Sequence, residues 1–174
     1  MSSAIPVVLE QHGGEFIWFG AGLFTFKVTS EQSGGAFILS EDTMSRGKTT
    51  PLHVHPVHDE TAYLIDGEIV VHLGGVEYTA GPGSVVAIPR GTPHAFLVTS
   101  ATARLIVFVT PGDRNAEAFF REGGEPAPSR TPPPPGTPLN IERLLEAGKR
   151  TGFMDVLGPP PFRREATSSA QVAG

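Results

Sequence analysis

An all-β domain is what this sequence predicts, and three observations carry the expectation. Between residues 16 and 109 the apolar residues come in short runs broken every few positions by Gly, Pro, Asp or Ser, the spacing of an antiparallel sandwich or barrel. The 21 glycines and 17 prolines are 38 of 174 residues, too many for a chain built of long helices. Phe24, Phe26 and Val28 alternate with Thr25 and Lys27, the period of two that belongs to a half-buried strand. At this length, with 39% hydrophobic residues, the chain fits one domain with a single sizeable core rather than two.

Strands are expected over residues 16–19, 23–28, 36–40, 52–55, 61–65, 68–73, 76–80, 85–88, 94–98 and 104–109. Asp66-Gly67 lies between two apolar runs as a hairpin turn does, and Gly74-Gly75 repeats that signal one strand later. The pattern then changes. Asp113 is a natural N-cap for a short amphipathic helix that carries Phe119 and Phe120 and stops at Gly123-Gly124. Seven prolines between Pro126 and Pro138 exclude a helix or a sheet interior and predict a stiff extended arm lying along its own protein. Asn140 is expected to cap a second helix over residues 141–147, closed by Gly148. The chain thus divides into N-terminal strands and a dimerisation segment (1–34), a central β unit (35–110), C-terminal helices with the proline-rich arm (111–165) and a small, polar tail expected to be disordered (166–174). Phe16, Ile17, Trp18 and Phe19 supply the apolar surface through which a homodimer is expected to form.

Composition also excludes functions. There are no cysteines, hence no disulfides, thiolate-bound zinc or thiol catalysis. Thirteen basic against 18 acidic residues give a formal charge of -5, without a basic run to track phosphates, so nucleic acid is not an expected partner. Neither a signal-peptide pattern nor a stretch of about 20 apolar residues is present, and a soluble cytoplasmic protein without membrane association is expected.

The histidines carry the chemistry. His53 and His55 are two apart on an expected strand, so both imidazoles project to one face. A tight turn through Pro56 and Asp59 returns the chain and aims Glu60 at the same point, and His94 on another strand supplies a fourth ligand. Three nitrogens and one oxygen suit one divalent first-row metal with positions left for water, substrate or dioxygen; nickel, manganese, iron, cobalt, copper and zinc all accept this set. His58, between ligands in a loop, is expected to face solvent, and His72 to face away from the site.

Gly47, His53, His55, Glu60 and Gly67, followed by Gly83, Pro89, Gly91 and His94, are nine positions whose spacing resembles the two motifs of the cupin superfamily. The Asn that ends the second motif is replaced by Val98. The resemblance implies that residues 35–110 fold as a double-stranded β-helix, a jelly-roll barrel, and that His53, His55, Glu60 and His94 bind the metal. Strand parity then puts Ala62 and Leu64 on the face of Glu60, and Phe96 and Val98 on that of His94, with Phe24 and Phe26 as a further wall and Phe119 over the mouth. Such an apolar, partly aromatic pocket suits a flat aromatic molecule. A sugar phosphate would want converging cations, whereas Lys27, Lys48, Lys149, Arg90 and Arg104 have no evident common focus.

The order of this unit, the Val109-Thr-Pro-Gly-Asp113 segment and the helix bearing Glu117 to Glu122 is similar to bacterial monocupin quercetin dioxygenases. The similarity implies a metal-dependent dioxygenase acting on an aromatic or enolic hydroxylated substrate, with dioxygen as co-substrate and carbon monoxide released. In such enzymes the metal holds the flavonol by its deprotonated 3-hydroxyl, and Glu60 here would be both ligand and base. The alternatives are a metal-assisted polyketide cyclase or isomerase, in which nothing is oxidised, and a non-catalytic small-molecule-binding module.

Overall fold

Turn chemistry and strand parity set the architecture in the computed structural model, which describes residues 3–162. The tail at 166–174 lies outside the described residues. Ten strands precede the first helix: β1 Glu15–Trp18, β2 Gly22–Val28, β3 Ile38–Ser45, β4 Leu52–Val54, β5 Asp59–Asp66, β6 Ile69–Leu73, β7 Val76–Ala80, β8 Val85–Ile88, β9 His94–Val98 and β10 Thr102–Thr110. They are followed by α1 Arg114–Gly123, β11 Glu125–Pro126, α2 Ile141–Thr151 and β12 Asp155–Gly158.

All pairings are antiparallel, in two sheets. One has the order β11-β1-β2-β3-β10-β5-β8 and the other β12-β4-β9-β6-β7. Neither order returns to its first strand. The closed jelly-roll barrel implied by the motifs is therefore corrected to two open antiparallel sheets in a cupin-like arrangement, with β11, β8, β12 and β7 as edges. A core shared by both sheets holds them together: Met44, Ala62, Leu64 and Leu105 of the seven-stranded sheet pack with Ile69, Val71 and Val98 of the five-stranded one.

The two glycine turns behave differently. At Gly74-Gly75 both residues have positive φ (55° and 94°), and the hairpin of β6 and β7 closes with Leu73 opposite Val76. Asp66-Gly67 is not a hairpin. It carries the chain from β5 in one sheet to β6 in the other, and a side chain at Gly67 (φ 82°) would come within 2.2 Å of the Thr102 carbonyl oxygen. Close approach of a third strand, rather than hairpin geometry, requires glycine there.

Asp113 caps α1 as expected, accepting from the Ala116 amide at 2.8 Å, and Asn140 caps α2 through the Arg143 amide at 3.1 Å. Gly148 does not end α2. The helix continues to Thr151 and stops at Gly152 in the left-handed conformation, φ 67°. Both helices press Ala116, Phe119, Leu144 and Ala147 onto Phe24, Phe26 and Ile38. The proline-rich arm lies on its own protein: Trp18 Nε1 donates to the Thr131 carbonyl at 2.8 Å, and the Arg130 guanidinium stacks over Phe16. On the outer edge of β1, Ile17 and Trp18 pair with Pro126 and Glu125 of β11.

Inside α2, Gly148 is set by Met154. A Cβ at this position would lie 2.6 Å from the Met154 carbonyl oxygen. Gly148→Ala gains about 1 kcal/mol in helix propensity but costs about 1–3 kcal/mol in overpacking against backbone. Net destabilisation is expected, measurable as a lower urea midpoint at unchanged slope.

Candidate metal centre

β4 and β9 are neighbours, and His53 sits directly opposite His94 in their register. Their ring centroids are 4.1 Å apart. His55, two residues after His53, projects to the same side, with its ring centroid 5.1 Å from each of the other two. One nitrogen from each of the three buried rings lies within 4.8 Å of the others. Glu60 comes from β5 of the opposite sheet, and its Oε2 is 3.1 Å from His55 Nε2. Strand pairing thus brings together all four residues that the sequence singles out.

Backbone carbonyls select the tautomers. Nδ1 of His53 lies 2.9 Å from the Pro51 oxygen, Nδ1 of His55 2.9 Å from that of Phe153, and Nδ1 of His94 2.9 Å from that of Thr92. A carbonyl only accepts, so each Nδ1 carries the proton and each neutral ring presents a bare Nε2 lone pair. His94 Nε2 is buried without a partner. His55 Nε2 and a Glu60 carboxylate oxygen, both acceptors, face one another at a distance that needs a proton or a cation between them. This donor set fits a single divalent transition metal held by the three histidines.

The electrostatics agree. Burial, reinforced by the two neighbouring imidazoles, pushes the pKa of His53 down to about 3, and burial lowers that of His94 as well. His53 therefore stays neutral in mild acid. For Glu60, burial pushes upward but is outweighed by the 3.1 Å approach of His55, which draws a proton or cation between the two, and by the surrounding imidazoles, and the result is about 2. The carboxylate is ionised at neutral pH, the state that either a ligand or a proton acceptor requires.

A cavity opens beside the triad. Of the predicted pocket residues, Phe24, Ala62, Phe96 and Phe119 line it together with His53, His55, Glu60 and His94. Phe26, Leu64 and Val98 do not. Their side chains are sealed in the core, at 2%, 0% and 1% exposure, because strand parity fixes the face of the sheet but not how far along the strand the cavity reaches. His58 is likewise corrected: it is 2% exposed rather than solvent-facing, because Asp113 at the start of α1 accepts from its Nε2 at 2.8 Å.

Several wall residues carry no sequence signal. Phe153, after α2, gives its carbonyl to His55 and lays its ring 4.4 Å from that imidazole. Only docking of the C-terminal segment brings it there. Phe19 is another such residue, whereas Phe120, carried with Phe119 on the helix expected over the mouth, also lines the cavity and stacks on Phe24 at 4.3 Å. Most unexpected are Asp42 and Lys48, a buried ion pair of 2.7 Å in this otherwise largely apolar wall.

Fold and triad together make a candidate site for one divalent transition metal between two antiparallel sheets. Residues 41–110 match the family model described as the cupin domain, and a cupin-superfamily domain is well supported there. The chain is 27% identical over 143 residues to the quercetin 2,3-dioxygenase of Bacillus subtilis (strain 168), covering 82% of this chain and 42% of that protein. It therefore spans less than half of the relative's length. Among solved structures, KdgF from Halomonas sp. superposes with a TM-score of 0.58 at 17% identity, over 64% of this chain and 98% of that one. The polyketide cyclase RemF from Streptomyces resistomycificus gives 0.53 at 23% identity, over 60% and 79%. Both structural likenesses bear on the fold alone. No helix among the described residues is long and apolar enough to cross a membrane.

Two outcomes follow for the metal-free and metal-loaded protein. His53→Ala should lower bound metal per chain, read by elemental analysis after dialysis. Because the unfolded chain takes up a proton near pH 6.5 that folded His53 refuses until about 3, acid destabilises the metal-free protein. Stability is fully present above about pH 6.5 and falls by about 1.4 kcal/mol per pH unit below it, Glu60 adding the same sign below about 4.5. Thermal unfolding from pH 7 to pH 4 reads this directly, and a flat midpoint would refute it.

Proposed function

We propose that this protein is a metal-dependent dioxygenase of the quercetin dioxygenase-like kind, acting on an aromatic or enolic substrate through a hydroxyl group. The observation that carries the proposal is the carboxylate of Glu60, 3.1 Å from His55 Nε2 at a three-histidine centre and lining a cavity walled by Phe24, Phe96, Phe119 and Phe120. The 27% identity to a quercetin 2,3-dioxygenase supports the same reaction class.

His53, His55 and His94 would hold the metal, which when bound supplies the Lewis acidity that lowers the pKa of a substrate hydroxyl. Glu60, ionised and buried beside the centre, accepts that hydroxyl proton on a carboxylate oxygen. Phe24 and Phe96 offer faces on which a flat ring lies. Phe119 and Phe120 of α1, backed by Phe153, keep bulk water from the developing anion. The carbonyls of Pro51, Phe153 and Thr92 hold the imidazoles in register throughout.

The test is dioxygen uptake on admitting air to anaerobically metal-loaded protein mixed with quercetin. Stoichiometric uptake with carbon monoxide release is expected. Glu60→Gln should retain metal and fold but lower turnover by about 100-fold or more, the ordinary worth of a positioned base. Conversion without uptake would instead mark an isomerisation or cyclisation, and undiminished turnover in Glu60→Gln would remove its role as base.

A further inference from the structure

Asp42 and Lys48 form a polar pole in the cavity wall that the metal chemistry does not use. Asp42 is on β3, and Lys48 lies in the segment that leads to β4. Lys48 Nζ donates to Asp42 Oδ2 at 2.7 Å, and both residues are buried, at 6% and 8% exposure. Their polar capacity is not filled. Oδ1 of Asp42 is buried with no hydrogen-bond partner, and Lys48 Nζ, a triple donor, makes one hydrogen bond among the described residues. Both groups crowd one point: a Cβ built on Gly22 would lie 2.2 Å from Lys48 Nζ and 2.8 Å from Asp42 Oδ1. Gly22, buried on β2, leaves the room in which the pair stands.

Burying two charges is costly, and a pair left with open donors and an open acceptor is worse than an apolar wall. A hydroxyl group completes it, its oxygen accepting from Lys48 and its proton going to Asp42 Oδ1. We propose that Asp42 and Lys48 are a second recognition point, which selects substrates bearing a further hydroxyl besides the one that would bind the metal. This inference rests on the proposed function for the metal end of the ligand and narrows the substrate class to polyhydroxylated aromatic enols. Thr50, which also lines the cavity, donates nothing to the pair: its hydroxyl accepts from the Phe96 amide at 3.1 Å.

The test compares anaerobic binding of quercetin and 3-hydroxyflavone to the metal-loaded full-length chain. The two probes share the metal-binding enol and differ in the further hydroxyls. Quercetin is expected to bind about 10-fold or more tightly, the worth of one charge-assisted hydrogen bond. In the double variant Asp42→Asn/Lys48→Met, which removes both charges together, the ratio should fall to within about 3-fold, with metal content per chain as the folding control. Asp42→Asn alone, which keeps an acceptor for Lys48 but changes Oδ1 or its neighbour to a donor, is the second variant should the double one not hold metal, and it too should shrink the ratio. Equal affinities for the two probes in the unmutated protein, or a ratio unmoved by both variants, overturns the proposal. Because dioxygen is absent, these outcomes are separate from those of the proposed reaction. Binding that obeys the pattern but gives no uptake in air sinks the dioxygenase and leaves the recognition point standing, whereas failure of both probes to bind overturns both.

Discussion

Three backbone carbonyls govern the site. By accepting from Nδ1 of His53, His55 and His94 they turn every Nε2 toward one point, so three lone pairs and the Glu60 carboxylate converge in a buried space that calls for a proton or a cation among them. Such convergence is unfavourable without a cation. The fold absorbs the penalty through the surrounding core, and the depressed pKa values of His53 and His94 record it. Ligand geometry here is a property of the main chain, which is why residues as ordinary as Pro51 and Thr92 belong to the chemistry.

Two open sheets divide the labour. The five-stranded sheet brings His53 and His94 side by side through the register of β4 and β9, and the seven-stranded sheet delivers Glu60 from β5 and Asp42 from β3. Substrate-sized space arises because the shared core around Met44 and Leu64 does not extend to the metal end, where aromatic rings from β2, α1 and the segment after α2 close the side. The charged groups of that wall are the Glu60 carboxylate beside the histidines and the Asp42–Lys48 pair.

The sequence made the metal ligands legible because their constraints are local: two residues on one strand share a face, and motif spacing fixes the turns between strands. Strand positions from β5 to β10 were readable for the same reason. Closure was not, since whether a sheet meets its own edge depends on which distant strands pair. Asp66-Gly67 illustrates this, a turn-forming dipeptide used as a crossing between sheets. His58 was misjudged and Lys48 passed over for one reason: each is a polar residue in a loop whose partner, Asp113 or Asp42, becomes visible only in three dimensions. Phe26, Leu64 and Val98 obey parity but lie outside the cavity, because parity carries no information about depth.

β12 adds to the edge of β4, with Val156 opposite His53, and the Phe153 carbonyl just before it orients His55. Orientation of one of the three histidines that would hold a metal therefore depends on the segment between α2 and β12. During synthesis His53 and His55 leave the ribosome about a hundred residues ahead of Phe153, whose carbonyl aligns His55. Until Phe153 docks, the His55 ring lacks the acceptor that fixes its tautomer, so orientation of the third imidazole waits on the segment after α2.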